Sequence, residues 1–333
     1  RGSTIGILGG GQLGRMLALA AAPLGFRCHI YDPDPDAPAK AVTNLATEAA
    51  YTDEAALAAF AASVDVATYE FENIPVSAVD RLNEQVPVWP GVRALSVAQD
   101  RLAEKDFVNG VGGRTASFHP VEDDADGREA GKRLGYPYVL KTRRFGYDGK
   151  GQAMVEDSEA VPASIASVGG QDGAVRSFPV VENKHRDHIL DETFAPADVI
   201  PDVGREASRI AEVLVRELDY VGVLAVEMFE VGGQILVNEI APRVHNSGHW
   251  TMDACAMGQF EAHIRAITGL DLPDVGMHSR AVMKNLLGDE ILERDALVQE
   301  KNLRFHDYGK SEARPGRKMG HVTRLYLPDR ASG

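Results

Sequence analysis

Two glutamates twelve positions apart, Glu227 and Glu239, are the residues of this chain best placed to do chemistry. Glu227 closes the run Val-Gly-Val-Leu-Ala-Val-Glu, and Glu239 closes Ile-Leu-Val-Asn-Glu. Gly232-Gly233 separates two β-branched and apolar runs, so the sequence predicts a hairpin. A three-residue Gly232-Gly233-Gln234 turn sets Glu227 opposite Glu239, whereas a two-residue turn sets it opposite Asn238. In either register, carboxylates and an amide oxygen converge beside a buried sheet, where charge needs a compensating partner. Hard oxygen ligands of this kind suit Mg2+ shared with nucleotide phosphates. An edge hairpin with two solvated glutamates is the alternative. Arg243, His245 and Asn246 crowd the exit of the second run and weigh toward a site. Arg243 can stabilise developing anionic charge, and His245 or Asn246 can orient a small carboxylate-like group. His245 and His249 have an i, i+4 spacing open to zinc, but Pro242 and Gly248 oppose the helix this requires.

Three further motifs carry chemistry. Lys141 ends the strand-like Tyr-Val-Leu-Lys-Thr, where it can reach phosphates as a point charge or sit in solvent. Phe145 to Gln152 contains three glycines whose backbone N–H groups can close over phosphates, although the Gly-Lys-Ser/Thr ending of a Walker loop is absent. Gly9-Gly10-Gly11-Gln12-Leu13-Gly14 lies between a strand and a helix, with Asp32 ending the next strand. That context fits a dinucleotide fingerprint and keeps a nicotinamide enzyme open. The same turn exposes a helix N-terminus to a substrate phosphate or carboxylate just as readily.

The elements that must position these groups alternate. Thr4–Leu8, Arg27–Asp32 and Val64–Phe71 read as strands, Gln12–Leu24 and Glu54–Ala62 as helices, giving a parallel α/β sheet. A charged helix is expected from Val97 to Val108. Strands at Tyr138–Thr142 and Ala153–Val155 flank the glycine-rich loop, suggesting a small α+β lid. Helices are expected at Asp202–Leu218 and Gln259–Thr268. At 333 residues two or three domains are expected. The net charge of −14 argues against general nucleic-acid affinity, so an anionic substrate needs a locally positive pocket. Two cysteines, Cys28 and Cys255, give no disulfide framework and suit a reducing cytoplasm. No apolar stretch approaches membrane-spanning length, and Arg1-Gly2-Ser3 reads as a tag remnant.

Five strings give the chain a family resemblance: Ile-Leu-Gly-Gly-Gly-Gln-Leu-Gly-Arg-Met, Tyr-Glu-Phe-Glu-Asn, Phe-Gly-Tyr-Asp-Gly-Lys-Gly-Gln, Asn-Glu-Ile-Ala-Pro-Arg-Val-His-Asn-Ser-Gly-His-Trp-Thr and Arg-Pro-Gly-Arg-Lys-Met-Gly-His. Over nearly its whole length it resembles the ATP-grasp ligases, specifically the N5-carboxyaminoimidazole ribonucleotide synthases. The resemblance implies a Rossmann-like substrate domain over residues 1–98, an ATP-grasp domain over 99–269 with a lid at about 115–175, and a small β-rich domain over 270–333. It implies that ATP, bicarbonate and 5-aminoimidazole ribonucleotide react through carboxyphosphate, in a cytoplasmic homodimer. Glu227 and Glu239 would then hold Mg2+. Arg101, Lys141, Gly146, Tyr147, Asp148, Gly149, Lys150, Gly151, Gln152, His185, Asn238 and Glu239 would surround ATP. Arg243, His245, Asn246 and Asp148 would serve catalysis. Gly11, Gln12, Leu13 and Glu72 would contact the ribonucleotide, with Lys310, Arg317 and Lys318 neutralising its phosphate. The chain departs from the family pattern between Ala163 and Ser164, where the hinge expected to receive adenine is missing. Other ATP-grasp ligases, such as a formate-using glycinamide ribonucleotide transformylase, and a noncatalytic nucleotide-binding regulator are the alternatives.

Overall fold

The computed structural model describes residues 2–122, 124–135, 139–144, 152–153 and 161–326. The chain opens with β1 (Thr4–Leu8), α1 (Gln12–Ala21), β2 (Arg27–Tyr31), β3 (Leu45–Thr47), α2 (Glu54–Ala61) and β4 (Val66–Tyr69). The four strands pair in parallel in the order β3-β2-β1-β4, as the βαβ alternation requires. β1 is buried along its whole length, as a central parallel strand covered on both faces must be. α1 stops earlier than its pattern suggests. Pro23 lies in the 3-10 turn Ala22–Leu24 that follows, and the left-handed Gly25 ends it.

Next come α3 (Val76–Asn83), α4 (Val92–Ala98) and α5 (Arg101–Gly110). The single helix expected over Val97–Val108 is therefore two. Asp100 is extended, and its carboxylate accepts from the Leu102 and Ala103 backbone N–H groups, so it caps a new helix rather than continuing the old one. α6 (Asp124–Leu134) follows, and then β5 (Leu140–Lys141) pairs with β6 (Gln152–Ala153), with Lys141 opposite Gln152. The strands expected on either side of the glycine-rich loop are thus present in part. The loop itself lies outside the described residues.

The remaining elements are β7 (Val161–Gly169), β8 (Val175–Ser177), β9 (Val181–Arg186), β10 (Ile189–Ala195), α7 (Pro201–Glu217), β11 (Gly222–Val231), β12 (Gln234–Ala241), α8 (Thr251–Ala254), α9 (Gln259–Ile267), β13 (Arg280–Leu287), β14 (Leu303–Asp307) and β15 (Lys318–Tyr326). Their strands form one nine-stranded sheet in the order β12-β11-β7-β9-β10-β13-β15-β14, with β8 on β7. Hydrogen bonding is therefore continuous from the acidic hairpin to the C-terminal strands. β7 pairs without interruption from Val161↔Glu230 to Gly169↔Gly222, so the chain passes Ala163–Ser164 without a loop.

Helices cover both faces of β11. On one, Val203, Ala207, Ile210, Ala211 and Leu214 of α7 recur at helical spacing and pack with Leu224, Val226 and Met228. On the other, Phe260, Ile264 and Ile267 of α9 join a core that also contains Ile5 and Ile7 of the parallel sheet and Leu17 of α1. The two sheets thus share a core, and His263 on α9 pins them. Its Nε2 is 2.9 Å from the Thr68 hydroxyl on β4, and its Nδ1 accepts from the Val223 N–H at 3.1 Å. Gly222 has φ +120°, and a Cβ there would meet the His263 ring at 2.9 Å, so glycine is required.

Burial pushes the His263 pKa down to about 3. As pH falls below about 6.5 the unfolded chain takes up the proton first, so this histidine's contribution is lost progressively toward pH 3. We expect His263→Leu to cost about 2–4 kcal/mol at pH 7.5, because it strands two buried partners. Below pH 6.5 the gap from wild type should narrow by about 1.4 kcal/mol per pH unit. Denaturant unfolding at pH 7.5 and 5.5 checks this; an unchanged gap contradicts it.

Candidate active site

Gly232 and Gly233 have φ of +57° and +83°, so the acidic hairpin closes through a two-residue turn with Val231 opposite Gln234. That turn alone would pair Glu227 with Asn238. A bulge intervenes: Met228 pairs with Val237, yet Glu227 pairs with Glu239, leaving Asn238 as the extra residue. The two carboxylates therefore stand directly opposite one another. The sequence carried a signal for this. The inward residues of β12 run Ile235, Val237 and then Ile240, a break in the two-residue period at Asn238.

The pair is compensated from α5 and from the segment after β12. Arg101 Nη1 lies 3.0 Å from Glu239 Oε2. His245 Nε2 lies 3.6 Å from Glu227 Oε1. The Ser247 N–H donates to His245 Nδ1 at 3.3 Å, which leaves the proton of the neutral ring on Nε2, facing Glu227. Burial, then Arg243, Lys318 and His185, hold the His245 pKa well below the ordinary histidine value. His245 is thus a neutral group at physiological pH. Lys318 and His185, on β15 and β9, are thus near enough to act on His245.

One turn along α5 from Arg101, Glu104 is only 3% exposed and accepts from the Ile240 N–H at 2.6 Å. Burial, reinforced by Glu239, pushes its pKa to about 8 against the pull of that hydrogen bond. It is therefore protonated at neutral pH and adds no third negative charge. Lys105 and Lys141 stand nearby. Crowding by protein lowers both ammonium pKa values, although solvent reaches Lys141; Lys141 further lowers Lys105, and Arg101 further lowers Lys141. Arg101, Lys105 and Lys141 thus make a cationic wall beside the carboxylates in a chain of net charge −14. Asp100 holds that wall in place. It is buried and binds Arg143 Nη2 at 2.7 Å, while the Arg101 N–H donates to the Arg143 carbonyl at 3.0 Å.

Arg243 and Glu72 form an ion pair at the junction of β4 and β12. Burial raises the Glu72 pKa, but Arg243 outweighs it and leaves the carboxyl below its usual range. Asn246 is buried, and it exchanges amide hydrogen bonds of 2.9 and 2.7 Å with Asn285. Gln259, fully buried, clamps the His245 backbone from both sides at 3.0 and 2.7 Å.

At the glycine turn the helix donors are already taken. Gly10 N–H donates to Asp32 at 2.5 Å, while Gly11 and Gly14 N–H groups donate to Glu70 at 2.5 and 2.7 Å. A pyrophosphate would need these donors, so the dinucleotide reading fails on local geometry. Gly14 is there for packing, since a Cβ would sit 2.5 Å from the Gly9 carbonyl oxygen. Beside the turn, Lys310 Nζ donates to Gln12 Oε1 at 2.6 Å and to the Lys318 carbonyl at 2.5 Å. Gln12, Lys310 and Lys318 are thus brought together, whereas Arg317 binds the Glu312 carbonyl at 2.9 Å. Gly146 through Gly151, with Tyr147, Asp148, Gly149 and Lys150, lie outside the described residues. Sequence reasoning missed Glu104, Lys105, Gln259 and Arg15, whose guanidinium packs on Gly309. Only Lys105 had a signal, four residues beyond Arg101 on one helix face.

Three family models match in chain order: the ribonucleotide synthetase preATP-grasp domain over residues 3–99, the ATP-grasp domain over 106–170 and 163–260, and the phosphoribosylaminoimidazole carboxylase C-terminal domain over 281–327. The fold is accordingly that of an ATP-grasp ligase. An N5-carboxyaminoimidazole ribonucleotide synthase of Brucella melitensis is 47% identical over 349 residues, covering 97% of this chain and 96% of that protein. A solved synthetase with ADP has a TM-score of 0.95 at 38% identity, covering 98% of this chain and 93% of its own. The Aspergillus clavatus enzyme, solved with ADP and 5-aminoimidazole ribonucleotide, has a TM-score of 0.90 at 29% identity, covering 98% and 94%. The chain belongs to the N5-carboxyaminoimidazole ribonucleotide synthase family.

Glu104 gives this site a stability signature. Its folded pKa of about 8 exceeds the ordinary 4.5, so the unfolded chain loses the proton first as pH rises, and stability falls between those values. Glu104→Gln should therefore be more stable than wild type by on the order of 3 kcal/mol near pH 7. The gain should shrink toward pH 5. Unfolding curves at the two pH values test it, and equal gains at both refute the buried neutral carboxyl.

Proposed function

We propose that this chain carboxylates 5-aminoimidazole ribonucleotide with bicarbonate at the expense of ATP, giving N5-carboxyaminoimidazole ribonucleotide for purine biosynthesis. Family membership makes it an ATP-dependent carbon–nitrogen ligase. The observation that carries the residue assignment is the bulge-set pair Glu227 and Glu239 beside Arg101 and Lys141.

Two carboxylates and the Asn238 amide offer the hard oxygen donors that Mg2+ prefers, and the cations beside them suit phosphates. Glu227 and Glu239 would hold Mg2+, which would supply positive charge against that of the phosphates. Arg101, paired with Glu239 here, and Lys141 hold the phosphate chain, with Lys105 behind them. Bicarbonate oxygen attacks the γ-phosphorus and ADP leaves, giving carboxyphosphate. Arg243, kept charged and oriented by Glu72, faces the negative charge that develops. His245 presents Nε2–H as a neutral donor to bicarbonate or the carboxylated intermediate. Breakdown to phosphate and CO2 delivers CO2 to the ribonucleotide amine. Gln12, Lys310 and Lys318 would bind that ribonucleotide, with Gly11, Leu13 and Arg317 alongside. Asp148 and the 146–152 segment are assigned to ATP and substrate by resemblance, as are the homodimer and the cytoplasmic setting.

Glu239→Gln removes one carboxylate while keeping side-chain shape. ADP release dependent on both bicarbonate and 5-aminoimidazole ribonucleotide should fall by roughly 10²-fold or more. Near-normal turnover in that variant would exclude the hairpin as the reaction centre. ADP release supported by formate, or binding of NADH without ATP, would select the alternative enzymes.

A further inference from the structure

A second cluster of ligating side chains lies away from the hairpin, where α8 meets the edge strand β14 and its inner neighbour β15. We propose that Asp253, His306 and His321 bind one nitrogen-preferring transition-metal dication, Zn2+ foremost, with His249 hydrogen-bonded to a water in the fourth position.

Topology places these residues together. His306 and His321 are direct cross-strand partners, so their side chains share one sheet face. Their rings are stacked with centroids 4.4 Å apart, so one ring must turn before both in-plane lone pairs can meet one ion. Asp253 approaches from α8, and its Oδ2 lies 2.9 Å from His306 Nε2. One ligand atom from each of the three residues lies within 4.8 Å of the other two.

Unmet hydrogen-bonding capacity points to an occupant. His249 and His321 are fully buried, and Nε2 of each has no partner. Their rings lie 4.9 Å apart. The opposite nitrogens are engaged: His249 Nδ1 accepts from Gln259 Nε2 at 2.9 Å, and His321 Nδ1 is 3.0 Å from the Tyr308 hydroxyl. Gln259 is itself oriented by the His245 backbone, so its NH2 group donates to His249. The His249 proton therefore sits on Nε2, which makes it a donor to a bound water and not a ligand. Tyr308 can take the Nδ1 proton of His321, which leaves Nε2 as a lone pair. A ring nitrogen fixed from behind in this way is the usual outer partner of a histidine ligand.

Two imidazoles and a carboxylate select Zn2+, Co2+ or Ni2+ over Mg2+. At Zn–N distances of about 2.0–2.1 Å, tetrahedral ligand atoms are about 3.3 Å apart, so the cluster must contract on loading. His306, whose side chain is 24% exposed on an edge strand, can supply that movement. The ion would sit where His306 Nε2 and Asp253 Oδ2 now contact each other directly. It would tie the strands bearing Lys318 to the segment that follows His245.

The test uses the whole chain, stripped with EDTA and dialysed, then titrated with Co2+ and, separately, Zn2+. We expect one equivalent per chain, visible four-coordinate Co2+ absorption displaced by Zn2+, and a rise in Tm with Zn2+. His306→Ala and Asp253→Asn should each lower affinity at least tenfold and lose the Co2+ bands while keeping the metal-free Tm. Both side chains reach solvent or its edge, so these variants decide the matter even where His321→Asn fails to fold. His245→Ala should keep the Co2+ signal, which separates this site from the hairpin. Absence of Co2+ bands in wild type, as for a buried water bridging His249 and His321, overturns the proposal. So does wild-type binding in His306→Ala, or loss of binding in His245→Ala alone.

Discussion

Two like charges facing each other across a β-ribbon repel, and the surrounding structure is organised around that repulsion. Directly opposed residues on an antiparallel pair have Cβ atoms about 4.5–5.5 Å apart, a spacing at which two carboxylates destabilise a hairpin. Here the opposition is imposed by a bulge, so it is built into the backbone rather than left to side-chain rotamers. Arg101 answers one carboxylate and neutral His245 the other. Glu104, the third carboxyl in reach, is removed from the charge balance by burial rather than by a counterion. The opposed carboxylates are thus answered by one cation and one neutral ring, and the third carboxyl adds no charge.

The parallel sheet contributes through its carboxylates. Glu70 satisfies the helix donors at the glycine turn, and Glu72, two residues on, orients Arg243. One short stretch after β4 thus closes a would-be dinucleotide site and fixes a guanidinium within the influence of Glu239. The two roles require the parallel sheet and the nine-stranded sheet to keep a fixed relation. The shared core and the Thr68–His263–Val223 bridge supply it.

Much of this was legible in the chain. The βαβ alternation, the hairpin and the crowding of Arg243 and His245 follow from periodicity and residue type, which are local properties. The helix break at Asp100 was legible in kind, because aspartate is a strong cap, but an unbroken charged pattern masked it. The pairing of the two glutamates was harder, since turn length and bulge combine to set register and only the slip from Val237 to Ile240 betrays the bulge. Glu104 was illegible: on a helix with Arg101, Lys105 and Asp106 it reads as a solvated face. What buries it is β12, whose backbone arrives from more than a hundred residues away. Gln259 was hidden for the same reason.

The departure between Ala163 and Ser164 falls on a different part of the chemistry from the residues just described. The Brucella relative aligns over 349 residues against the 333 of this chain, so it carries residues that this chain lacks. In this structure β7 runs straight through that junction and pairs with β11 on its way, Ser164 lying opposite Glu227. The register of β11 with β12 is set by their own turn and bulge, and Arg101 and Lys105 come from α5. None of these depends on a loop between Ala163 and Ser164. The groups assigned to the phosphates are therefore independent of the segment expected to receive adenine. The carboxylate pair and the cations beside it are fixed by strand register and by α5, and neither calls on a segment between Ala163 and Ser164.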